Sequence, residues 1–333
     1  MAYIKFAGDN KKIVYLREYH RIGRRAEAVD TQLDHPFVSK LHAIIEWKEP
    51  NWLIRDVSQN GIWINGEQLQ PQTRHELQLS DLVEIAGSQG VHFEISDLAP
   101  PKNMLFNDEQ IPDHVSLDDG VILPNEETPE FGVYKCPERL QWFVEQLHQQ
   151  ESRDPDSADI HEAMETGPYE HGDTLRCADI TWRFFLVNED DVTTEFHSEP
   201  PDIADVEFRF DISQNEENTT LTLLHNHQEL DLGERSHHYL LAYLLRHKHA
   251  QAHSNRSLQK TEQSLGWMDC QLIEHELGIE ESHLNIQIFR ARKQILANLV
   301  GYSGSSKLIE RRRGSVRMGI DNYSIYKEGV REV

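Results

Sequence analysis

Ile22-Gly23-Arg24, then Ser39-Lys40-Leu41-His42, then Asp56-Val57-Ser58-Gln59-Asn60-Gly61-Ile62-Trp63-Ile64-Asn65-Gly66, is the stretch on which the reading of this 333-residue chain turns. It sets an arginine beside a turn glycine, a hydroxyl with a histidine three residues on, and two Asn-Gly turns around a short apolar run. Arginine offers a planar fork of permanently charged donors that matches phosphate, while serine and asparagine add short-range hydrogen bonds from loops. That inventory suits one phosphorylated side chain on a peptide. On either side lie short β-branched and aromatic runs at residues 13–16, 43–47, 52–56, 62–64, 82–85 and 91–95. Turn residues separate them: Glu49-Pro50-Asn51, Asn60-Gly61, Asn65-Gly66 and Ser88-Gln89-Gly90. Many short strands with no helical stripe predict an all-β sandwich. Taken singly, each Asn-Gly is a plain hairpin turn, because both residues tolerate positive φ.

The three motifs, in this order and with these gaps, resemble the forkhead-associated (FHA) domain, whose hallmark is Gly-Arg, then Ser-x-x-His, then Ser/Thr-x-Asn-Gly-x-x-x-Asn-Gly. The resemblance covers residues 1–98. It implies that Arg24 and Ser39 bind a phosphate, that Lys40 sits near the phosphate or the peptide rim, and that Asn60 bonds the peptide backbone. Gly23, His42 and Gly61 are by the same resemblance structural in the loops, and phosphothreonine is the expected ligand. Two positions depart from the pattern. Gln59 stands where Thr or Ser usually precedes Asn-Gly, and Phe37, two before Ser39, replaces a basic residue found in some members. The preference around the phosphothreonine therefore does not carry over.

A chain of this length predicts two or three domains. With 38% hydrophobic and 27% charged residues it holds enough apolar material for folded cores and enough polar material for linkers. No apolar run approaches the roughly 18 residues that span a bilayer, and the start Met-Ala-Tyr-Ile-Lys-Phe lacks a signal-peptide pattern, so a cytoplasmic protein is expected. Cys136, Cys177 and Cys270 are far apart and show no metal-type spacing, which makes them structural thiols. The net charge of −24 is uneven. Residues 1–98 hold 11 Lys and Arg against 14 Asp and Glu, residues 99–233 hold 7 against 32, and residues 234–333 hold 15 against 11. Exposed charges are screened beyond about 8 Å at physiological salt, so an acidic middle does not by itself keep a basic end from a polyanion.

Residues 99–174 read as an acidic, partly disordered linker, with Ala99-Pro100-Pro101-Lys102-Asn103 closing the sandwich and prolines and acids running over 107–129. A short amphipathic helix is expected at 137–150, where Leu140, Trp142, Phe143 and Leu147 fall at near-helical spacing, and a mobile acidic stretch at 151–173. Thr128 and Thr166 are phosphorylatable threonines that could occupy the FHA face in cis. From residue 175 order returns: alternating runs at 179–187, 206–212, 219–224 and 229–232 predict strands. His225-Asn226-His227 is a hairpin tip rather than a metal site.

Three helical patterns follow at 234–250, 268–277 and 280–300. In the third, Leu284, Ile288, Ala291, Ile295 and Leu299 share one face, Arg290 and Lys293 point away from it, and Asn285, Gln287 and Arg292 lie on its flanks. A hairpin over 307–320 follows, its tip carrying Arg311, Arg312, Arg313 and Gly314. Strands, three helices and a basic hairpin, with the helix Leu284-Asn285-Ile286-Gln287-Ile288-Phe289-Arg290-Ala291-Arg292-Lys293-Gln294-Ile295, resemble the α+β winged-helix domain of bacterial OmpR-type regulators over 175–333. That resemblance implies double-stranded DNA as a partner, read by Asn285, Gln287, Arg290, Arg292 and Lys293 in the major groove and contacted by Arg311, Arg312 and Arg313 at the wing. The expectation is a bacterial-type regulator of transcription: a phosphorylated protein, a Ser/Thr kinase or its substrate, binds the FHA module, and the winged helix binds DNA. The alternative is a phosphopeptide-dependent scaffold whose winged helix makes protein contacts. No Gly-rich phosphate loop, nucleophile motif or metal set is present, so neither enzymatic activity nor a cofactor is expected.

Overall fold

A computed structural model describes residues 1–7, 12–88, 90–107, 114–118, 120–147, 165–187, 201–254, 265–312 and 314–333. They cluster into two compact units. One holds Met1–Asp118, Glu170–Leu175 and Trp182–Asp191, and the other Asp119–Tyr169, Arg176–Thr181 and Val192–Val333.

The first unit is a sandwich because its strands alternate inward apolar with outward polar residues. A six-stranded sheet runs in the order Ile13–Tyr15, Tyr3–Phe6, Val91–Asp97, Leu82–Ile85, Ile62–Ile64, Glu67–Gln68. A five-stranded sheet runs Thr31–Gln32, Tyr19–Gly23, Ala43–Lys48, Asn51–Asp56, Arg74–Glu76. Their inner faces share one core, in which Ile4, Ile62, Val83, Ile85, Phe93 and Ile95 meet Ile22, Ala43, Ile45, Trp52 and Ile54. Each of the six runs read from sequence contains a strand; Tyr3–Phe6 and Tyr19–Gly23 are additional, and the second of these leads directly into Arg24. Beside the sandwich, Met104–Asn107 pairs antiparallel with His114–Ser116 and with residues 182–185. Phe106 packs against Tyr15 and edge-on against Phe185, with ring centroids 4.7 and 5.6 Å apart.

The second unit has a sheet in the order Gln228–Glu234, Thr219–His225, Glu207–Ile212, Tyr323–Lys327, Val330–Arg331, in which Glu207–Ile212 and Tyr323–Lys327 are parallel. Against it packs α1 (Ser236–Ser254), which also packs on α3 (Glu281–Asn298), and α3 in turn contacts α2 (Cys270–Leu277). A hairpin, Ile309–Arg312 with Ser315–Met318, is joined at its edge by Met268–Asp269. The core is continuous from Phe208 and Phe210 through Leu241 and Leu245 to Leu284, Ile288, Ala291 and Ile295. The helices end where local chemistry directs: the Asp269 carboxylate accepts from the Leu272 N–H at the start of α2, and Gly278, at φ 64°, closes its end in the left-handed conformation.

The middle differs from the expected linker. Val121–Leu123, Phe131–Lys135, Trp142–Gln146 and Glu165–Tyr169 form a four-stranded antiparallel sheet of the second unit, in that order. The helix expected over 137–150 is therefore replaced by the strand Trp142–Gln146. Trp142, Phe143, Val144 and Glu145 are all buried, so both faces of the strand are covered; a short unbroken apolar run of that kind looks the same in helix and strand. Residues 151–164 of the expected mobile stretch lie outside the described residues. His225-Asn226-His227 is the expected hairpin tip, with Asn226 and His227 at φ 49° and 65°. No described helix is long and apolar enough to cross a membrane.

Candidate functional site

The strand Tyr19–Gly23 ends in a backbone crossing so close that a Cβ on Gly23 would lie 2.3 Å from the Lys40 carbonyl oxygen. Only glycine allows this approach. It brings the Arg24 N–H to the Ser39 carbonyl (2.9 Å) and the Arg25 N–H to that of Lys40 (3.2 Å). His42 then joins two loops from inside: the Ser39 N–H donates to Nδ1 (3.0 Å), which fixes the proton on Nε2, and Nε2 donates to the Gly61 carbonyl (3.0 Å). Burial lowers the His42 pKa from its ordinary value, which keeps this neutral tautomer in place. The third loop is closed by Asp56 and Ser58, whose side chains accept from the N–H groups of Ser58 and Gly61 (both 2.8 Å).

On this frame the Gln59 N–H donates to Ser39 Oγ (3.2 Å), leaving the hydroxyl proton available to an outside acceptor. Asn60 Nδ2 donates to the Phe37 carbonyl (2.7 Å), so its amide oxygen stays available. Arg24 and Lys40 are exposed, and neither side chain has an ion-pair or hydrogen-bond partner among the described residues. The result is two unneutralised cations and a hydroxyl at one edge of the sandwich, an arrangement that accepts a dianion. Beside it lies a shallow groove of about 570 Å³ lined by Phe37, Asn60, Trp63, Glu84, Ala86, Gly87 and Ser88. Sequence spacing brought Arg24, Ser39, Lys40 and Asn60 to this edge but not Trp63 or the 84–88 loop, which arrives from the other sheet and has no motif of its own.

The predicted DNA-facing residues are placed differently. Leu284, Ile288, Ala291, Ile295 and Leu299 are in the core as expected, but the opposite face of α3 is not open. Asn285 and Gln287 are buried. Asn285 donates to the Leu147 carbonyl (2.5 Å) and accepts from Arg311 Nη2 (2.8 Å), while Gln287 Nε2 contacts His283 Nε2 (3.1 Å). Arg292 pairs with the buried Glu145 carboxylate (2.6 Å) and donates to the Ile309 carbonyl (3.0 Å), and Arg290 pairs with Glu126. The Lys293 side chain runs beside Gly120. Exposure read from one helical stripe fails here because a second sheet, from a part of the chain read as linker, lies on the helix's other face. Arg312 is exposed and, like Arg317, stacks on Trp267, with guanidinium carbons 4.3 and 4.7 Å from the ring centroid. Arg313 lies outside the described residues.

A sandwich with these loops at one edge defines the class, and the family model of the FHA domain matches residues 20–86: this segment is an FHA domain. Among solved structures the chain is similar to the N-terminal FHA domain of S. cerevisiae Rad53p in complex with a phosphothreonine peptide, at 21% identity, covering 28% of this chain and 91% of that one, TM-score 0.26. It is similar to the MEK1 FHA domain in complex with a HOP1 phosphothreonine peptide, at 21% identity, covering 29% and 97%, TM-score 0.24. Mycobacterium tuberculosis EmbR in complex with a low-affinity phosphopeptide matches at 26% identity, covering 30% of this chain and 25% of that one, TM-score 0.27. A comparison with curated proteins finds no match.

Proposed function

We propose that this chain is a non-catalytic, phosphorylation-responsive regulator whose FHA domain binds a phosphothreonine protein and whose second unit binds DNA as a winged helix. The observation that carries the first half is the convergence of Arg24, Ser39, Lys40 and Asn60 on interlocked loops with both cations unpaired among the described residues. Arg24 and Lys40 hold the phosphate, Ser39 donates its hydroxyl proton to it, and Asn60 bonds the peptide main chain along the groove lined by Phe37 and Trp63. The second half is supported by the order sheet, α1, edge strand, α2, α3, hairpin, and by the basic hairpin, whose Arg312 and Arg317 stack on Trp267. One observation favours the rival, a phosphopeptide-dependent scaffold: the α3 face that would enter the major groove is in contact with the sheet of residues 121–169.

Fluorescence anisotropy of a phosphothreonine peptide library and its unphosphorylated counterpart tests the first half. Binding of the phosphorylated pool only, lost in Arg24→Ala, is the expected result; equal binding of both pools overturns it. A labelled 30-base-pair duplex pool tests the second, with steep salt dependence expected.

A further inference from the structure

The face of α3 opposite the core is built to meet something polar and anionic. On one flank stand Asn285, Arg292 and, on the neighbouring hairpin, Arg311, with Arg290 on the side away from the core. What meets it is the sheet formed by Val121–Leu123, Phe131–Lys135, Trp142–Gln146 and Glu165–Tyr169. Its Glu145 carboxylate takes Arg292, its Glu126 takes Arg290, its Leu147 carbonyl takes Asn285, and its turn residue Glu138 accepts from Ser305 Oγ (2.5 Å). Phe289 of α3 supplies the apolar anchor, packed with Tyr134, Phe143 and Leu147. The anchor fits only because position 132 is glycine: a Cβ there would lie 2.5 Å from the Phe289 ring.

We infer that this sheet is an intramolecular lid that occupies the nucleic-acid-binding face of α3 with carboxylates standing where phosphates would stand, and that it must lift before α3 can bind DNA. The inference rests on the DNA-binding reading above. Three features separate a removable lid from a permanent core layer. Its apolar anchor is a small cluster separate from the continuous core of the second unit. Its polar contacts include two ion pairs, Arg292–Glu145 and Arg290–Glu126, the class of interaction that a competing polyanion reproduces. And it satisfies the cationic face incompletely: Arg311 Nε and Glu145 Oε1, both buried, have no hydrogen-bond partner. Two guanidiniums, Arg292 and Arg311, face one carboxylate, and burial lowers the Arg311 pKa from its ordinary value, a sign that its charge is poorly compensated. A duplex would bring several phosphates to the same face.

The experiment uses the full chain and a fluorescein-labelled random 30-base-pair duplex over a salt series, with two independent ways of opening the lid. Gly132→Val drives a branched side chain into the Phe289 ring without changing charge, and the double substitution Glu126→Gln with Glu145→Gln removes the competing carboxylates. Hydrogen exchange over residues 131–135 and 142–146 reports whether the lid has opened, and circular dichroism whether the rest is folded. The expected result is at least about tenfold tighter binding by either variant with a steeper salt slope, the gain being abolished when Arg290→Ala and Arg292→Ala are added. Equal binding by wild type and opened variants, reduced in both by the arginine substitutions, overturns the lid and leaves DNA binding standing. No binding by folded variants whose exchange shows an open lid overturns the DNA-binding reading itself, and the lid with it.

Discussion

In the proposed phosphate site Arg24 and Ser39 act in different ways, and their substitutions separate accordingly. Arg24→Ala removes a charge-assisted fork and is expected to weaken phosphopeptide binding by about a hundredfold, whereas Ser39→Ala removes one hydroxyl donor and costs about tenfold. Isothermal titration with a single phosphothreonine peptide measures both. Gly23→Ala acts through the frame: its Cβ would enter the Lys40 carbonyl, so thermal stability and peptide affinity fall together while no ligand contact is removed. His20 carries the pH response. It is buried, its Nε2 hydrogen-bonds the Thr31 hydroxyl (2.8 Å), and burial lowers its pKa to about 4. The unfolded imidazole binds its proton near 6.5, so the stability gained by keeping His20 neutral is complete above that pH and is lost as pH falls toward 4. The contribution is at most roughly 3 kcal/mol. Melting of the first unit is expected to drop across that window, and His20→Asn to flatten the drop. At this scale the sequence was readable where a motif fixes near neighbours, and Gly23, Arg24, Ser39 and His42 do stand together in adjoining loops. It was silent on Trp63 and the 84–88 loop, which reach the groove through sheet packing alone.

At the scale of elements, α3 is the instructive case. Its core stripe was legible because period 3.6 repeats over about three turns: Leu284, Ile288, Ala291 and Ile295. Its other face was not, because Phe289 and Asn285 are ordinary residues for an exposed helix until a second layer covers them. Phe289→Ala is expected to cost about 3 kcal/mol at its cluster, and native-state exchange should place the loss at strands Phe131–Lys135 and Trp142–Gln146 rather than in α1. Equal loss of protection in α1 would mean the lid and the core unfold as one. The strands of residues 121–169 were hidden for a related reason. Acids and prolines punctuate the segment and break its apolar residues into short runs without a sustained period, although Val133, Tyr134, Phe143 and Val144 among them are each buried.

For the whole molecule, the net charge of −24 conceals a division of labour in which acidic residues of the middle are spent partly on cations of α3: Glu126 on Arg290 and Glu145 on Arg292. If a phosphopeptide at the FHA loops regulates DNA binding, duplex affinity of the full chain should change on adding the peptide, and the change should vanish in Arg24→Ala; an unchanged affinity would point to recruitment of the partner instead. The FHA segment was legible because its motifs stand together near one end of the chain, while the partition of the middle was not, since Met104–Asn107 joins its sheet by pairing with the distant residues 182–185 rather than through a local pattern.

Strand Tyr323–Lys327 lies parallel to Glu207–Ile212, with Ser324 and Ile325 buried between them and the rest of the second unit. Its partner in the sheet is thus separated from it by three helices and a hairpin of sequence. A chain cut short of residue 321 would keep every helix yet expose one unpaired edge of Glu207–Ile212, open to strand addition from a sister molecule. The same geometry makes residues 321–333 a natural split-protein fragment: supplied as a separate peptide, they carry the register, Phe208 against Tyr323 through Ile212 against Lys327, needed to complement the truncated chain in trans.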